Sequence, residues 1–224
     1  MVFSSVLNFI FPQSCFVCGA KSPGVCRGCL KCFEPARHKC LRCGRRNPLG
    51  VYCDSCHKPS YPELILARYC FKGAIRELIH QFKYEDCTTL ATPLALVLAQ
   101  IIKNQLASKD YLITYVPISK AKQVKRGYNQ AKLLAEVVSR ESKLPIAGLV
   151  MRVDTPQSQV QVDDPVQRRQ NIKGVFKVKK DVRIPKKIIL IDDVVTTGST
   201  VVEVTRVLKR AGAKEVVVLA LAMA

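Results

Sequence analysis

The sequence predicts an α/β protein in which helices flank a parallel sheet, preceded by a small cysteine-rich zinc-ribbon domain. Two observations predict this arrangement. Of the eleven cysteines in the 224-residue chain, nine lie between Cys15 and Cys56, and beyond residue 60 apolar strands alternate with amphipathic helices. Because a strand, helix, strand order favours parallel pairing with right-handed crossovers, the second part should form one open sheet. We therefore predict two domains, residues 1–60 and 61–224.

Four C-x-x-C pairs define the first domain. Two residues between cysteines suit a tight turn that directs both thiolates at one metal ion, and a tetrahedral structural zinc needs two such turns. Seven residues separate the first two pairs and nine separate the last two, which suits short ribbons, so adjacent pairs should share an ion. The predicted ligands of the two zinc ions are Cys15, Cys18, Cys26 and Cys29, then Cys40, Cys43, Cys53 and Cys56.

Two other interpretations of the cysteines are less favoured. A disulfide framework would accompany a secretion signal, but the apolar opening segment has no basic start and no small-residue cleavage site. We expect that segment to form a short docking helix in a cytoplasmic protein. A redox C-x-x-C motif would stand at one strand-to-helix turn and not in four copies. Zinc would be structural, because sixty residues with few large apolar side chains need it to fold. Cys32, His38 and His57 stay open as substitute ligands.

The second domain begins after the prolines at positions 59 and 62. Its strand segments are continuous apolar and β-branched runs, as buried parallel strands are. The first helix carries Ile75, Leu78 and Phe82 at helical spacing, and Gly212 ends the last one. The predicted strands cover residues 64–71, 110–118, 186–195 and 214–224, and the predicted helices cover residues 72–86, 88–106, 129–142 and 199–212.

The charge of the chain indicates anionic partners. The 36 Lys and Arg residues exceed the 17 Asp and Glu residues, for a net charge of +19, and both domains are basic. Phosphates or nucleic acid are therefore expected partners, and a basic background composition is the alternative. No stretch reaches the roughly 18 apolar residues that a membrane helix needs, so we expect no membrane insertion.

The segment "IILIDDVVTTGST", residues 188–200, ends one of the predicted buried strands. In open parallel sheets, ligands bind beyond the carboxyl ends of the strands. A glycine-containing loop that leads into a helix offers backbone N–H groups and the positive helix end to an anion, so "TTGST" predicts a phosphate site. Asp192 and Asp193 would repel that phosphate and should face hydroxyl groups or Mg²⁺ beside it. A phosphate next to a diol indicates a ribose phosphate.

Two alternatives apply to this segment. The acidic strand of a P-loop ATPase would look similar, but the sequence contains no G-x-x-x-x-G-K-[ST] loop. A purely structural turn stays open, although two adjacent carboxylates would be costly if they were buried without partners.

The same segment resembles, at every position, the thirteen-residue phosphoribosyl pyrophosphate (PRPP) signature of type I phosphoribosyltransferases. The segments "VPISKAKQVKRGYNQAKLLAE" and "MRVDTPQSQVQVDDPVQRRQNIKGVF", together with the double zinc ribbon, resemble the ComF family of competence-associated proteins. The resemblance spans nearly the whole chain. It implies a type I phosphoribosyltransferase-like fold for residues 61–224.

The resemblance also implies roles for individual residues. Asp192 and Asp193 would bind the ribose hydroxyls and, with Arg126, form the catalytic set. The sugar 5-phosphate would lie on Thr196, Thr197, Gly198, Ser199 and Thr200. Ser119 and Lys120 would meet the leaving diphosphate, with Lys125 and Arg126 nearby as mobile cations, and Lys83 matches a recurrent lysine. Arg152, Thr155, Gln157, Arg168 and Asn171 match a further family pattern and would close over the site, unless the arginines are solvated surface charges.

The implied reaction is displacement of diphosphate from PRPP by a nitrogen nucleophile, assisted by Mg²⁺. Three hypotheses remain for the function. The first is an active phosphoribosyltransferase of nucleotide metabolism with an unknown acceptor. The second is a competence factor that handles single-stranded DNA during DNA uptake and uses PRPP as a regulator; its ribbons offer Phe16, Phe33 and Tyr52 for base stacking. The third is a zinc-scaffolded adaptor for competence-machinery proteins with an inert pocket.

Overall fold

The computed structural model describes residues 14–47, 52–106, 110–153 and 172–224. The helices are α1 (Arg27–Cys32), α2 (Gly73–Tyr84), α3 (Ala91–Gln105), α4 (Lys120–Arg126), α5 (Gln130–Ser142) and α6 (Ser199–Arg210), with a 3-10 turn at Thr88–Leu90. The strands are β1 (Leu64–Cys70), β2 (Tyr111–Tyr115), β3 (Val150–Arg152), β4 (Phe176–Val178), β5 (Lys187–Val195) and β6 (Glu215–Met223). Among the helices so described, none has the length and apolar character needed to cross a membrane.

A parallel sheet with the strand order β1-β6-β5-β2 forms the centre of the fold. The two central strands, β5 and β6, are nine residues each and largely buried. The predicted α/β architecture is therefore confirmed. Each predicted strand and helix of the second domain is present, with bounds that differ by up to three residues.

Each face of the sheet has its own core, because side chains alternate along the strands. On one face, Ile189 and Ile191 of β5 pack with α2, α3 and α5. On the other face, Ile188 and Leu190 pack with α6 and with the antiparallel strand pair of β3 and β4. The sheet is thus covered on both sides, and its carboxyl edge remains the place where loops gather.

Helix α4 is a difference from the predicted elements, which place a loop there. The Oγ atom of Ser119 accepts a hydrogen bond from the backbone N–H of Lys122 at 3.3 Å and caps the helix, and Gly127, with φ of +74°, ends it. None of its seven residues is buried. The segment therefore has no apolar periodicity from which a helix could be predicted.

The edge strand β1 is covered by residues 34–38, which we call the edge segment. The backbone N–H of Cys70 donates to the carbonyl oxygen of Glu34 at 2.9 Å, and that of Ala36 donates to the carbonyl oxygen of Arg68 at 3.1 Å. An open strand edge is a template for pairing with another chain. The edge segment pairs with this open edge of β1.

The two ribbons lie on opposite faces of the sheet. Val25 of the first ribbon (residues 14–33) belongs to the core that contains α3. Leu41 and Tyr52 of the second ribbon (residues 39–57) pack against the core that contains α6. The cysteine-rich part therefore reaches around β1 and contacts the second domain from both sides.

Candidate active site and zinc clusters

The two aspartates of the acid pair, Asp192 and Asp193, lie at the carboxyl end of β5. Ile191 is in register with Tyr115, the last residue of β2, and Asp192 is in register with Ala220 of β6. Both aspartate side chains are half-buried, and the backbone N–H of Asp193 donates to Oδ1 of Asp192 at 2.9 Å. The acid pair thus begins where its neighbour β2 ends, which is where ligands bind in open parallel sheets.

The two carboxyl groups have different electrostatic surroundings. The Nζ atom of Lys83, near the end of α2, lies 2.7 Å from Oδ1 of Asp193 and forms an ion pair with it. Burial, and then the negative charge of Asp193, raise the pKa of Asp192 to about 8, although Lys83 acts in the opposite direction. The ligand-free site therefore holds one ion-paired carboxylate and one carboxyl group whose burial favours the protonated form.

The loop after β5 turns into α6 through Gly198, which is buried and has a φ of +73°. The hydroxyl oxygens of Thr197 and Ser199 lie 2.7 Å apart, and the backbone N–H of Ser199 donates to Oγ1 of Thr197 at 3.4 Å. The first N–H groups of a helix have no intrahelical acceptor and carry the positive end of its dipole. The loop therefore fits an anion such as a phosphate.

Basic side chains from three elements lie near Lys122, which is itself within electrostatic range of the acid pair. Lys83 comes from α2, Lys122 and Arg126 from α4, and Arg152 from β3. Surrounding protein atoms that displace part of its water, and then the positive charges of Arg126, Arg152 and Lys83, lower the pKa of Lys122, although its side chain stays exposed at the surface. The carboxylate of Asp193 acts in the opposite direction. This concentration of positive charge beside the acid pair fits a strongly anionic ligand.

Arg126 is held in place by contacts with two neighbours. Its guanidinium donates to Oε1 of Gln130 at 3.1 Å and to the hydroxyl of Tyr84 at 2.9 Å. It also lies 4.6 Å from the centroid of the Tyr84 ring, a cation–π contact. The family resemblance implies a mobile cation at this position, whereas these contacts fix Arg126 at the end of a helix.

The predicted residues around α4 have different positions. Ser119 caps the helix, and Lys120 and Lys125 are exposed. Lys122 is absent from the predicted set, although it is the lysine of α4 that the acid pair influences. Its spacing of four residues from Arg126 puts both on one face of the helix. That spacing would have identified Lys122 had the helix been predicted.

Arg152 is the one residue of the predicted closing motif that the structure describes. Thr155, Gln157, Arg168 and Asn171 lie outside the described residues. Arg152 pairs in register with Phe176 of β4, and its guanidinium lies 5.8 Å from the centroid of that ring. Its charge acts on Lys122 from a hydrogen-bonded strand.

The eight predicted cysteine ligands form two clusters. One contains Cys15, Cys18, Cys26 and Cys29, and the other contains Cys40, Cys43, Cys53 and Cys56. The sulfur atoms of each cluster lie within 4.8 Å of one another. The Sγ–Sγ distance is 3.8 Å between Cys15 and Cys29 and 3.7 Å between Cys43 and Cys53. Zn–S bonds of about 2.3 Å give a tetrahedron with edges of about 3.8 Å, so both clusters fit structural zinc.

Backbone N–H groups favour the thiolate form at the first cysteine of each cluster. Burial raises the pKa of Cys15, but N–H donors outweigh it and lower the pKa to about 6; the same holds for Cys40. For Cys15 the donors include the N–H groups of Val17 and Cys26, each at 3.4 Å. Because thiolates are the metal ligands, these donors favour the zinc-binding form at Cys15 and Cys40, whereas hydrogen bonds with neighbouring cysteines raise the pKa of Cys29 and Cys56.

The substitute ligands lie elsewhere. Among the described residues, Cys32, His38 and His57 belong to neither cluster. The Nε2 atom of His38 accepts a hydrogen bond from the backbone N–H of Ala67 at 3.3 Å, and burial lowers the pKa of its ring. A neutral His38 therefore serves as an acceptor for the edge strand.

Comparison with known proteins finds two matching domain families and several similar proteins. The family of phosphoribosyl transferase domains matches residues 94–223, and the family of double zinc ribbon domains matches residues 6–57. Competence protein F of Haemophilus influenzae is 31% identical, over 90% of this chain and 91% of that protein. Competence protein ComFC of Streptococcus pneumoniae is 27% identical, over 96% of this chain and 91% of that protein. DNA utilization protein YhgH of Escherichia coli K12 is 29% identical, over 90% of this chain and 86% of that protein.

Removal of zinc should unfold both ribbons, because structural zinc contributes on the order of 10 kcal/mol to such modules. Metal analysis should find two zinc ions per chain. After chelation, hydrogen exchange should show reduced protection in the ribbons and at Ala67 and Cys70, whose N–H groups bond to the edge segment, while β5 and β6 stay protected. The Cys32→Ser variant, as a control, should keep both ions. Fewer than two ions in the wild type would contradict the two-cluster assignment.

Replacement of Asp192 by asparagine should change how stability depends on pH. The unfolded pKa of an aspartate is about 3.9, and the folded pKa of Asp192 is about 8. Protonation of Asp192 therefore stabilises the folded state fully at a pH below the unfolded pKa. This stabilisation is lost as the pH rises through the folded pKa, and the free energy of unfolding falls by at most about 1.4 kcal/mol per pH unit.

The measurement is denaturant unfolding of the zinc-loaded, ligand-free protein at about pH 6, 7 and 8. The free energy of unfolding of Asp192→Asn should rise relative to the wild type as the pH increases. The Asp181→Asn variant, at an exposed turn, is the control for removal of one carboxylate. A difference between Asp192→Asn and the wild type that does not vary with pH would show that burial does not retain the proton.

Proposed function

The chain belongs to the phosphoribosyl transferase domain family and, within it, to the ComF family of competence-associated proteins, and we propose that it binds PRPP with Mg²⁺ and transfers the phosphoribosyl group. One observation carries the proposal. At the carboxyl end of β5, a half-buried acid pair lies beside Lys83, the glycine loop that begins α6, and Lys122 with its neighbouring cations. PRPP presents a diol, a phosphate and a diphosphate, and each has a chemical complement there.

The acid pair is the proposed site of the ribose diol. Carboxylate oxygens accept hydrogen bonds from hydroxyl groups, and such bonds favour the ionised form of the acid. Binding of the sugar would therefore release the proton that Asp192 holds in the ligand-free site. The ion pair with Lys83 keeps Asp193 in position, because both side chains are largely buried.

The cations of α4 are the proposed site of the diphosphate. Lys83 is already paired with Asp193 at 2.7 Å, whereas Lys122 is surrounded by other positive charges. A diphosphate would relieve that repulsion between Lys122 and Arg126. Arg126 is suited to this role, because Tyr84 and Gln130 orient its planar guanidinium before the ligand arrives.

The proposed reaction is displacement at the anomeric carbon of PRPP. A nitrogen nucleophile forms the new C–N bond, the C–O bond to diphosphate breaks, its electron pair leaves with the diphosphate, and the proton of the nucleophile passes to solvent. Bound Mg²⁺ would supply Lewis-acid stabilisation to the diphosphate and the sugar hydroxyls, which Asp192 and Asp193 orient. Lys122 and Arg126 stabilise the charge that develops on the leaving group.

Loss of both carboxylates should abolish PRPP binding. Calorimetric titration of PRPP with Mg²⁺ should give a measurable affinity for the wild type and none for the Asp192→Asn/Asp193→Asn double variant, because the diol loses its charged acceptors. The Asp181→Asn variant is the control. A screen of purine and pyrimidine bases and amines for diphosphate release then tests turnover. Undiminished PRPP affinity in the double variant would refute the site, and binding without release by any acceptor would refute the transfer step.

A second candidate function is the handling of single-stranded DNA, with PRPP as a regulator. Relatives are named competence and DNA utilization proteins. The second ribbon exposes Lys39, Arg42, Arg45 and Arg46. Against base stacking, Phe33 packs edge-on against Tyr69 and Tyr52 packs against Tyr61, with ring centroids 5.3 and 4.5 Å apart. Of the three predicted stacking residues only Phe16 is exposed, at 43%, so charge would contribute more than stacking to DNA binding.

Charge reversal on the second ribbon tests this candidate. Arg45 is left unchanged, because its side chain bonds to the sulfur of Cys43. The Arg42→Glu/Arg46→Glu variant should bind single-stranded DNA more weakly, with a salt slope smaller by about 0.7 for each phosphate that the variant no longer neutralises. Lys177→Glu/Lys180→Glu, with the same change of net charge, should bind like the wild type, and PRPP affinity should not change in either. Absence of wild-type DNA binding at low salt would exclude the DNA role.

A further inference from the structure

The second ribbon touches the loop that receives the sugar phosphate in the proposed function. A Cβ atom added to Gly198 would lie 2.3 Å from Cδ1 of Leu41 and 3.7 Å from the hydroxyl oxygen of Tyr52. A separation of 2.3 Å is far below a van der Waals contact, so the backbone of Gly198 is already covered by Leu41. The glycine thus serves a second purpose besides its positive φ: it lets a ribbon side chain pack on the loop.

Both ribbon residues that reach the loop are next to ligands of the second cysteine cluster in the sequence. Leu41 lies between Cys40 and Cys43, and Tyr52 directly precedes Cys53. All three cysteines belong to the second cluster. A bound zinc ion would therefore hold Leu41 and Tyr52 at fixed positions on one small rigid unit.

The second ribbon is also anchored on both sides of this contact. Before Leu41, Nε2 of His38 accepts a hydrogen bond from the N–H of Ala67 in β1 at 3.3 Å. After the ribbon, Nζ of Lys209 donates to the carbonyl oxygen of Pro59 at 2.8 Å and pairs with Glu63. Lys209 belongs to α6, the helix that Gly198 caps. The ribbon is thus tied to both the sheet and the helix between which the loop runs.

The first ribbon has no corresponding contact with the loop among the described residues. It packs on the other face of the sheet, where a Cβ atom on Gly24 would lie 2.8 Å from Cγ of Pro93 in α3. Phe16 holds the place in the first cluster that Leu41 holds in the second, one residue after the first cysteine, and its side chain is 43% exposed. The chain therefore provides a matched control for Leu41.

We propose that Leu41 is a positioning residue for the phosphate loop, so that the second zinc ribbon, and not the first, sets the geometry of the site. The inference rests on the proposed function, because it assigns the sugar phosphate to this loop. Removal of the Leu41 side chain leaves a space over Gly198, and the loop gains conformations that do not fit a phosphate. If the competent fraction falls to about a tenth, the dissociation constant for ligands that use the loop rises about tenfold.

The test is calorimetric titration of three ligands with four full-length, zinc-loaded proteins. The ligands are PRPP with Mg²⁺, ribose 5-phosphate, and diphosphate with Mg²⁺. The proteins are the wild type, Leu41→Ala, Leu41→Met and Phe16→Ala. We expect Leu41→Ala to lose about tenfold in affinity for PRPP and ribose 5-phosphate and to keep its diphosphate affinity within about twofold. Leu41→Met should restore most of the loss, and Phe16→Ala should bind like the wild type.

A ligand-free readout separates positioning from general damage. Hydrogen exchange over residues 196–202 should be faster in Leu41→Ala than in the wild type, while β5 and β6 are unchanged and metal analysis still finds both zinc ions. If Leu41→Ala loses zinc, Leu41→Val provides the same comparison with a smaller change.

Several outcomes would overturn the inference. These are unchanged or tighter ribose 5-phosphate binding by Leu41→Ala, an equal loss for diphosphate, or an equal effect of Phe16→Ala. A wild type that binds none of the three ligands would instead refute the proposed function, so the two failures can be told apart.

Discussion

The pairing of the edge segment with β1 is the contact on which the arrangement of the chain depends. Backbone hydrogen bonds from Cys70 to Glu34 and from Ala36 to Arg68 fix the middle of the cysteine-rich part against the sheet. The ribbons that precede and follow it must then lie on opposite faces. A five-residue segment that contains Pro35 has little strand preference of its own. The cysteine clusters on its two sides therefore hold its ends. Bound zinc would stabilise the pairing of the edge segment with β1 as well as the ribbons.

The electrostatics of the site follow from the same sheet geometry. β5 carries its acid pair past the end of β2, so the chain that continues from β2 brings Lys122 and Arg126 to the acid pair. One carboxylate is neutralised by Lys83, and burial makes the other favour its protonated form. The ligand-free site is thus positive although it contains two acids. It is suited to a ligand that brings several negative charges and can donate hydroxyl hydrogen bonds to the acid pair.

The sequence indicated those features that depend on local pattern. The nine-residue runs of β5 and β6, the acid pair with its glycine loop, and the spacing of the C-x-x-C pairs each identify an element without reference to the rest of the chain. What could not be predicted lacks such a local pattern. The three-residue strands β3 and β4 are too short to show a period, and α4 has no buried residue that would give it an apolar face. The contact of Leu41 with Gly198 joins residues 157 positions apart, and no local pattern encodes it.

The strand order has a consequence for synthesis of the protein. β6 follows the other strands of the sheet along the chain, yet it lies between β1 and β5. A nascent chain that has emerged only through β5 can pair β5 with β2, whereas β1 has the edge segment as its native partner. The ribbons leave the ribosome first, because synthesis starts at the N-terminus, and N-terminal domains generally fold first during translation. They can therefore cover one edge of β1 before β6, which completes the sheet between β1 and β5, is synthesised.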